Sequence, residues 1–524
     1  MTLGNWTSGL ARRRGVVPWA SGASRRTAGM AVLVAGVLSA CSIGPAYHKP
    51  GAPDDRRSTA HSVPASTIAT PGRSGTSQRL QYGAAVPDEW WELFRAPALN
   101  DLVAHALVAN PSVQSATEHL RAAEQAYLAQ KGILYPQVNA AASVTRERPA
   151  PIFPGEKPFQ FTVYSGALDV TYYPDFFGAN RALLEGAKAQ IDYQKFEREA
   201  SDLALIGNVA STAVRIATLR EELKAAEAVV ASDEDLLRLT TDRYRRGAEA
   251  YDVVLTQQAA LASARTALSP LKLQMAQMEH ALALLEGEAP GQFNMPALAL
   301  RDISLPVALP VSLPSTLAEQ RPDIRAAEAQ LRAANASVKV AAAERFPLLT
   351  LSASLGRSSL DASQLFSPQS AIWNVAGDLA APIFHGGTLI ANERAAQAQY
   401  AAADADYRSV VLGALGQVAD ALRAVDQDAQ TLNAQYRAWR ASGKALKLAR
   451  AAYEQGATDY LSLLAAEINY QNAAIPYAQA QGQRYLDTIG LFVALGGGWW
   501  QDLAHPSGPG SIPVAAAAGA GGHR

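Results

Sequence analysis

The sequence predicts a mixed α and β fold: a long α-helical barrel of heptad hairpins plus a transmembrane β-barrel completed by trimerisation, four strands per chain. Three observations lead there. Residues 244–258 (Y-R-R-G-A-E-A-Y-D-V-V-L-T-Q-Q) are echoed by residues 453–467 (Y-E-Q-G-A-T-D-Y-L-S-L-L-A-A-E), a tandem duplication with a period of roughly 210 residues. Each half holds two stretches that alternate apolar and polar residues with period two. Each half also holds a helical pattern of roughly 65 residues, which at about 1.5 Å per residue reaches roughly 100 Å.

The 524 residues carry a net charge of −1, so no basic excess argues for a nucleic-acid partner, and none is expected. Residues 1–40 read as a secretory signal: Arg12, Arg13, Arg14, Arg25 and Arg26, an apolar run over 31–38, then Leu38-Ser39-Ala40-Cys41. The apolar run is too short to span a bilayer, which takes about 20 residues. Cys41 is the only cysteine, so no intramolecular disulfide forms. Leu-Ser-Ala-Cys resembles a bacterial lipobox, which implies that Cys41 becomes a lipidated first residue; Ser42 after it resembles an outer-membrane address. An ordinary signal peptide with a chance cysteine is the alternative. Because a single acyl chain anchors weakly, a second membrane contact is expected. Residues 41–86, rich in Pro, Ser, Thr, Gly and Arg, are expected to be the lipidated N-terminus and a flexible tether, and 501–524 a disordered tail.

The first repeat, 87–312, opens with Trp90-Trp91-Glu92-Leu93-Phe94 and Pro97, and one helix is expected to Gly132. Val138, Ala140, Ala142 and Val144 then alternate with Gln137, Asn139, Ala141 and Ser143 as a strand; Phe159, Phe161 and Val163 alternate with Gln160, Thr162 and Tyr164 as its partner. The second repeat, 313–500, repeats the plan with Leu349, Leu351, Ala353 and Leu355 and a return strand over 372–381. Each strand approaches the roughly 10 residues that cross a membrane when tilted. Aromatic-glycine corners at 174–178 and 382–387 start the long helices.

In the second repeat Val411, Leu415, Val418, Leu422, Val425, Ala429, Leu432, Tyr436, Trp439, Gly443 and Leu446 step by four and three as a heptad seam; in the first, Val209, Ile216, Leu223, Val230 and Leu237 keep a weaker one. Return helices over 256–287 and 460–495 contain Pro270 and Pro476, where kinks or breaks are expected. The glycines of Gly496-Gly497-Gly498 read as a helix C-cap, not a phosphate loop.

An open sheet in lipid would leave unpaired backbone groups at its edges, so four strands must close with copies of themselves. Two chains give eight strands and a filled interior; three give twelve and a lumen. A soluble sheet with a solid coiled coil, making a periplasmic coiled-coil scaffold lipoprotein, is the competing reading. The Trp90-Trp91 opening, the duplicated plan, Phe384 with Gly386-Gly387, the tip motif and the Ala494–Trp499 ending (A-L-G-G-G-W) resemble the TolC-like outer-membrane factors, most closely the OprM/NodT lipoprotein branch of tripartite RND-type efflux systems. The resemblance implies a homotrimer in the outer-membrane lipid, its helical tunnel in the periplasm. It would passively conduct small toxic compounds or drugs delivered by an RND-type inner-membrane transporter and a periplasmic adaptor (membrane fusion protein). A TolC-like protein-secretion channel is a second possibility, which lipidation disfavours by family analogy.

Catalysis has little support. The eight histidines show no metal-ligand spacing, and no nucleophile elbow or phosphate loop is present, so no catalytic residue, metal or cofactor is expected. Matching the tips onto the family implies that Leu461 lines the periplasmic aperture, where an apolar ring resists wetting. The acid the efflux branch often carries four residues later is Ala465 here; Asp459 and Glu467 are the nearby acids, each readable instead as a cap or a solvated residue. The family's latch between hairpins matches Asp252 and Tyr453, but Thr458 stands where the arginine that completes it would be, which implies a weak neutral bond of about 1 kcal/mol. Gly247 and Gly456 supply the turns.

Overall fold

The computed structural model describes residues 43–51, 62–150, 158–312 and 314–499. Cys41, the signal segment and the tail therefore lie outside the described residues. In chain order the elements are β1 (Arg79–Tyr82), α1 (Pro97–Ala109), α2 (Pro111–Gly132), β2 (Gln137–Glu147), β3 (Phe161–Tyr172), α3 (Ala179–Arg245), α4 (Tyr251–Thr266), α5 (Leu268–Leu285), β4 (Ala308–Val311), α6 (Pro314–Gln320), α7 (Pro322–Ala343), β5 (Leu348–Ser359), β6 (Ala371–Ala380), α8 (Thr388–Glu454) and α9 (Tyr460–Ala494). Two compact units result: Ile133–Ala182 with Val338–Glu393 form one, and Ala46–Gly132, Leu183–Ser337 and the chain from Arg394 form the other.

The first unit is built on an antiparallel sheet of order β2-β3-β5-β6. Its register sorts the side chains into two faces, because successive residues of a strand point to opposite sides. One face carries the rows Val138-Val170-Ala353-Val375 and Ala140-Leu168-Leu355-Trp373, and the other carries Asn139-Asp169-Ser354-Asn374. On the polar face Ser143 and Ser165 share a hydroxyl hydrogen bond of 2.8 Å. The apolar face is bare, with Val138, Leu168, Leu355, Trp373 and Val375 all exposed. The strand pattern therefore holds, with one correction: β3 runs over Phe161–Tyr172, so Phe161 and Val163 fall on the polar face, and Tyr164, Leu168 and Val170 supply the apolar one.

The second unit holds the long helices. Both α3 and α8 span 67 residues. Among the described residues, α3 alone has a stretch apolar and long enough to cross a membrane, but 61% of it is inside the protein, which marks a core helix. In α8 the expected seam is buried at Val411, Val418, Leu422, Val425, Ala429 and Leu432, and half-buried at Leu415, Tyr436, Trp439, Gly443 and Leu446. In α3 the seam slips. Val209 and Ile216 are buried as expected, but beyond them the buried line runs through Leu219, Glu222, Ala226, Val229, Asp233, Leu236 and Thr240, and Leu223, Val230 and Leu237 are only half-buried. Successive steps of three around Ile216 rotate the buried stripe, the effect of a three-residue insertion in a heptad repeat.

Prolines account for two further differences. The expected single helix to Gly132 is broken between α1 and α2 because Asn110 precedes Pro111 and adopts an extended ψ of 124°. Asn110 then caps α2, its Oδ1 accepting from the Ser112 amide at 2.8 Å. The first return helix breaks at Ala267, next to Thr266, whose carbonyl a Pro270 ring would strike; the second stays continuous through Pro476. It also starts earlier than expected, α4 beginning at Tyr251.

The two ends of the second unit pack as one core. Trp90 stacks on Phe492 at 5.3 Å and meets Phe94 edge-on at 6.3 Å. Gly496, Gly497 and Gly498 all have positive φ, and the Gly496 and Gly497 amides donate to Val493 and Phe492 carbonyls, closing α9 as a glycine cap. A side chain at Gly498 would strike the Pro87 and Val86 backbone.

The segment 62–86, expected to belong to the tether, is folded. Its β1 pairs in parallel with β4, Leu80 opposite Leu309, and Val86 and Gln78 are fully buried. Buried Arg484 of α9 holds it, donating to the Ser74 and Thr76 carbonyls, Thr67 Oγ1 and Gln78 Oε1 at 2.7–3.2 Å. A four-residue strand is too short to show alternation in the sequence, and the anchoring arginine is distant along the chain.

Candidate functional site at the hairpin tips

Each tip is a helix end built the same way. At Gly247, φ is 73°, its amide donates to the Tyr244 carbonyl at 2.9 Å, and the Ala248 amide reaches back to Arg243 at 2.9 Å. At Gly456, φ is 72°, with matching bonds to Tyr453 at 3.0 Å and from Ala457 to Ala452 at 2.8 Å. This is the Schellman closure, which needs a left-handed residue after the helix and so favours glycine at both sites.

Tyr453 is buried, with 1% of its surface exposed, in a small apolar cluster with Tyr460, Leu463 and Leu236. Its hydroxyl donates to Glu249 Oε2 at 2.6 Å. Arg243 lies over its ring at 4.5 Å, donates to its carbonyl at 2.8 Å and pairs with Glu249 at 3.4 Å. Burial, and donation of the phenol to Glu249, push the Tyr453 hydroxyl pKa upward, so it stays a proton donor. Within the chain, this joint is made by other residues than the pair the family resemblance names. Asp252 does not meet Tyr453; it sits in the first turn of α4, where its carboxylate accepts from the Val253 amide at 2.9 Å. The acid is Glu249 and the arginine is Arg243, so the contact is charge-assisted and stronger than a neutral bond.

A second polar group lies beside it. Tyr460 donates to Gln257 Oε1 at 2.9 Å, Gln257 donates to Asp233 Oδ1 at 3.1 Å, and Gln471 donates to Asp233 Oδ2 at 3.2 Å. Burial raises the Asp233 carboxyl pKa and takes the Tyr460 phenol to about 12. Glu467, 2% exposed, is pushed up to about 6, first by burial and then by Asp233, against relief from Ser232 and Arg450. It is buried beside Asp233. Asp459 is the N-cap of α9, accepting from the Ser462 amide at 2.8 Å, and its hydrogen bonds to Ser462 hold its carboxyl below the usual range. Leu461, by contrast, is 70% exposed.

The tips thus bring Tyr453 to the first hairpin through residues the motif did not single out: Arg243, Glu249, Gln257 and Asp233. Their signal was the difference between the repeats, since the second repeat has Ala452, Thr458, Ala466 and Ser442 in their places. Among the described residues no group of three or more His, Cys, Asp or Glu is arranged to hold a metal ion.

Residues 102–288 and 313–497, one block in each repeat, match the outer membrane efflux protein family. The chain belongs to that family. It is 33% identical over 479 residues to the outer membrane protein OprJ of Pseudomonas aeruginosa, a match covering 90% of this chain and 95% of that one. The probable outer membrane lipoprotein SilC of Salmonella typhimurium is 28% identical, over 78% of this chain and 88% of that one. The solved outer-membrane channel OprN superposes with a TM-score of 0.79 at 28% identity, covering 88% of this chain and all of OprN. As an outer membrane efflux protein, the chain is an efflux channel of the outer membrane, and its family consists of transport proteins, not enzymes.

Proposed function

We propose that this efflux protein works as a homotrimer whose tips gate it, Leu461 forming the resting seal. The two-faced sheet carries the reading: four strands with a bare apolar face, a polar face, and unpaired edges at β2 and β6 among the described residues. Such edges are costly in lipid until copies of the sheet pair with them, and three copies make the smallest barrel with a lumen. The apolar face then meets lipid and the Asn139-Asp169-Ser354-Asn374 row lines the lumen. A lipidated Cys41 would add an anchor in the outer-membrane lipid.

In this reading the channel is passive. An RND-type inner-membrane transporter and a periplasmic adaptor deliver small toxic compounds or drugs to the tips, and three exposed Leu461 side chains resist wetting of the aperture until the hairpins part. The experiment is single-channel recording of the detergent-purified protein in a planar bilayer. Leu461→Ser should raise the resting conductance several-fold over wild type. An unchanged current would overturn the seal at Leu461, and a trimer without conductance would overturn the channel.

A further inference from the structure

The charged residues of strands β2, β3, β5 and β6 sort by face. Glu147, Asp169 and Asp378 fall on the polar face and are all acidic; Arg146 and Arg357 fall on the apolar face and are both basic. The two arginines also sort by height. Along the apolar face the rows from Leu349-Leu379 up to Ala140-Leu168-Leu355-Trp373 carry no charge. Arg357 comes in the next row, opposite Gly166, and Arg146 two rows beyond it, opposite Thr162. Both therefore stand toward the end of the sheet where β2 turns to β3 and β5 to β6. The other end makes all four connections to helices, α2, α3, α7 and α8.

On a lipid-facing strand an arginine costs about 2–4 kcal/mol at the bilayer midplane and about 0–1 near an interface. An interface alone does not explain why both lie toward one end. At the helix end Arg345, just before β5, is matched by Glu393 at 2.5 Å, whereas neither Arg146 nor Arg357 meets a carboxylate among the described residues. Arg146 Nη2 donates to Gln160 Oε1 at 3.2 Å, and Arg357 Nη1 donates to the Ser367 carbonyl at 2.6 Å and to Ser370 Oγ at 3.4 Å. That fixes Arg357 by one nitrogen and leaves Nε and Nη2, the edge that pairs with a phosphate through two parallel bonds. Gly166 leaves the face beside it open.

We propose that Arg146 and Arg357 hold the phosphates of glycolipid headgroups in the outer leaflet, so that the channel binds this lipid specifically. This rests on the barrel proposed above, in which the hairpin end of the apolar face reaches the outer leaflet. The shape of the patch selects a lipid over a free anion. A lipid puts phosphate at the basic rim and its acyl chains along the Leu168, Leu355 and Trp373 rows; a free anion leaves those rows uncovered.

Native mass spectrometry of the detergent-purified protein tests this, with diphosphoryl lipid A as the probe. Wild type should hold the lipid, and Arg146→Gln with Arg357→Gln should hold it roughly tenfold or more weakly, through loss of two charge-assisted contacts. The same variant should keep its oligomer on gels, since it removes charge from a lipid face; each single substitution serves where the double one does not assemble. Dephosphorylated lipid A should bind wild type as weakly as the phosphorylated lipid binds the variant. Equal binding of the two lipids, or by the two proteins, would overturn the contact. So would displacement of the lipid by millimolar inorganic phosphate, which would mark a free-anion site. A wild type that stays monomeric and outside lipid vesicles overturns the barrel and the contact with it, whereas a vesicle-inserted trimer indifferent to the phosphates overturns the contact alone.

Discussion

At Tyr453 a single hydroxyl connects two hairpins. It donates to Glu249 at 2.6 Å, and the Arg243 guanidinium holds both the carboxylate and the ring. Hydrogen bonds to charged groups contribute about 1.5–3 kcal/mol, so Tyr453→Phe should accelerate amide exchange at the tips roughly tenfold or more. Asp252→Asn should leave exchange near wild type, since Asp252 touches only its own helix start. Equal effects from the two would return the latch to Asp252. Glu467 should make the tip sensitive to pH. Burial raises its carboxyl from the ordinary 4.5 to about 6, so the folded state holds the proton more tightly than the unfolded state. Its stabilising contribution is complete below about pH 4.5 and is lost as pH rises through about 6, a change of order 1 kcal/mol. Glu467→Gln should flatten this window, measured as the pH dependence of exchange in α9; an unaltered profile would assign the titration to another group. Tyr453 and both glycines were legible in the repeated motif. Glu249 and Arg243 were marked only by differing from Thr458 and Ala452 in the other repeat, because a partner across two hairpins leaves no periodic pattern.

Elements were legible where their signal is periodic and their surroundings uniform. The 67-residue α8 buries its predicted seam between Val411 and Leu432 because its heptads do not slip there, and only half-buries the continuation to Leu446, while α3 departs from prediction after Ile216, where steps of three turn the buried stripe toward Glu222, Asp233 and Thr240. Polar residues within a buried stripe read as its interruption in a sequence, although here they hydrogen-bond across helices, as Gln479 does to Glu222 at 3.0 Å. Prolines act through their immediate neighbours, yet whether a helix breaks depends on packing: α4 and α5 separate near Pro270, and α9 runs on through Pro476. For the sheet, the two faces make a direct prediction. Leu168→Lys puts a charge on the apolar face and should cost about 2–4 kcal/mol near a bilayer midplane, seen as loss of heat-resistant oligomer on gels. Asn374→Lys, on the polar face, should leave that oligomer intact. Equal sensitivity at both positions would argue against one face meeting lipid.

Across the whole molecule, residues from distant parts of the chain complete each other's cores. Trp90 lies on Phe492, Gly498 abuts the Pro87 backbone, and Arg484 ties the 62–86 segment to α9. Arg484→Met keeps much of the volume but leaves three buried acceptors and the half-buried Thr76 carbonyl short of a donor, at about 1–3 kcal/mol for each buried one, so limited proteolysis should cut within 67–82 well before wild type. Resistance equal to wild type would mean that β1 pairing with β4 holds the segment unaided.

By itself the sequence determined the duplication, the four alternating strands, the two long helices, the glycine-closed tips and, through motifs at both ends, the outer membrane efflux family. These are local or repeated features, and periodicity with turn chemistry specifies them without knowledge of the partner. Only the tertiary structure decided that the N-terminal segment is folded, that α3 changes its buried face, and that Tyr453 is held by Glu249 and Arg243 while Tyr244 is left bare. Those outcomes depend on which surfaces meet. That is settled by packing between residues hundreds of positions apart, where apolar area and charge pairing act through space and leave no period along the chain.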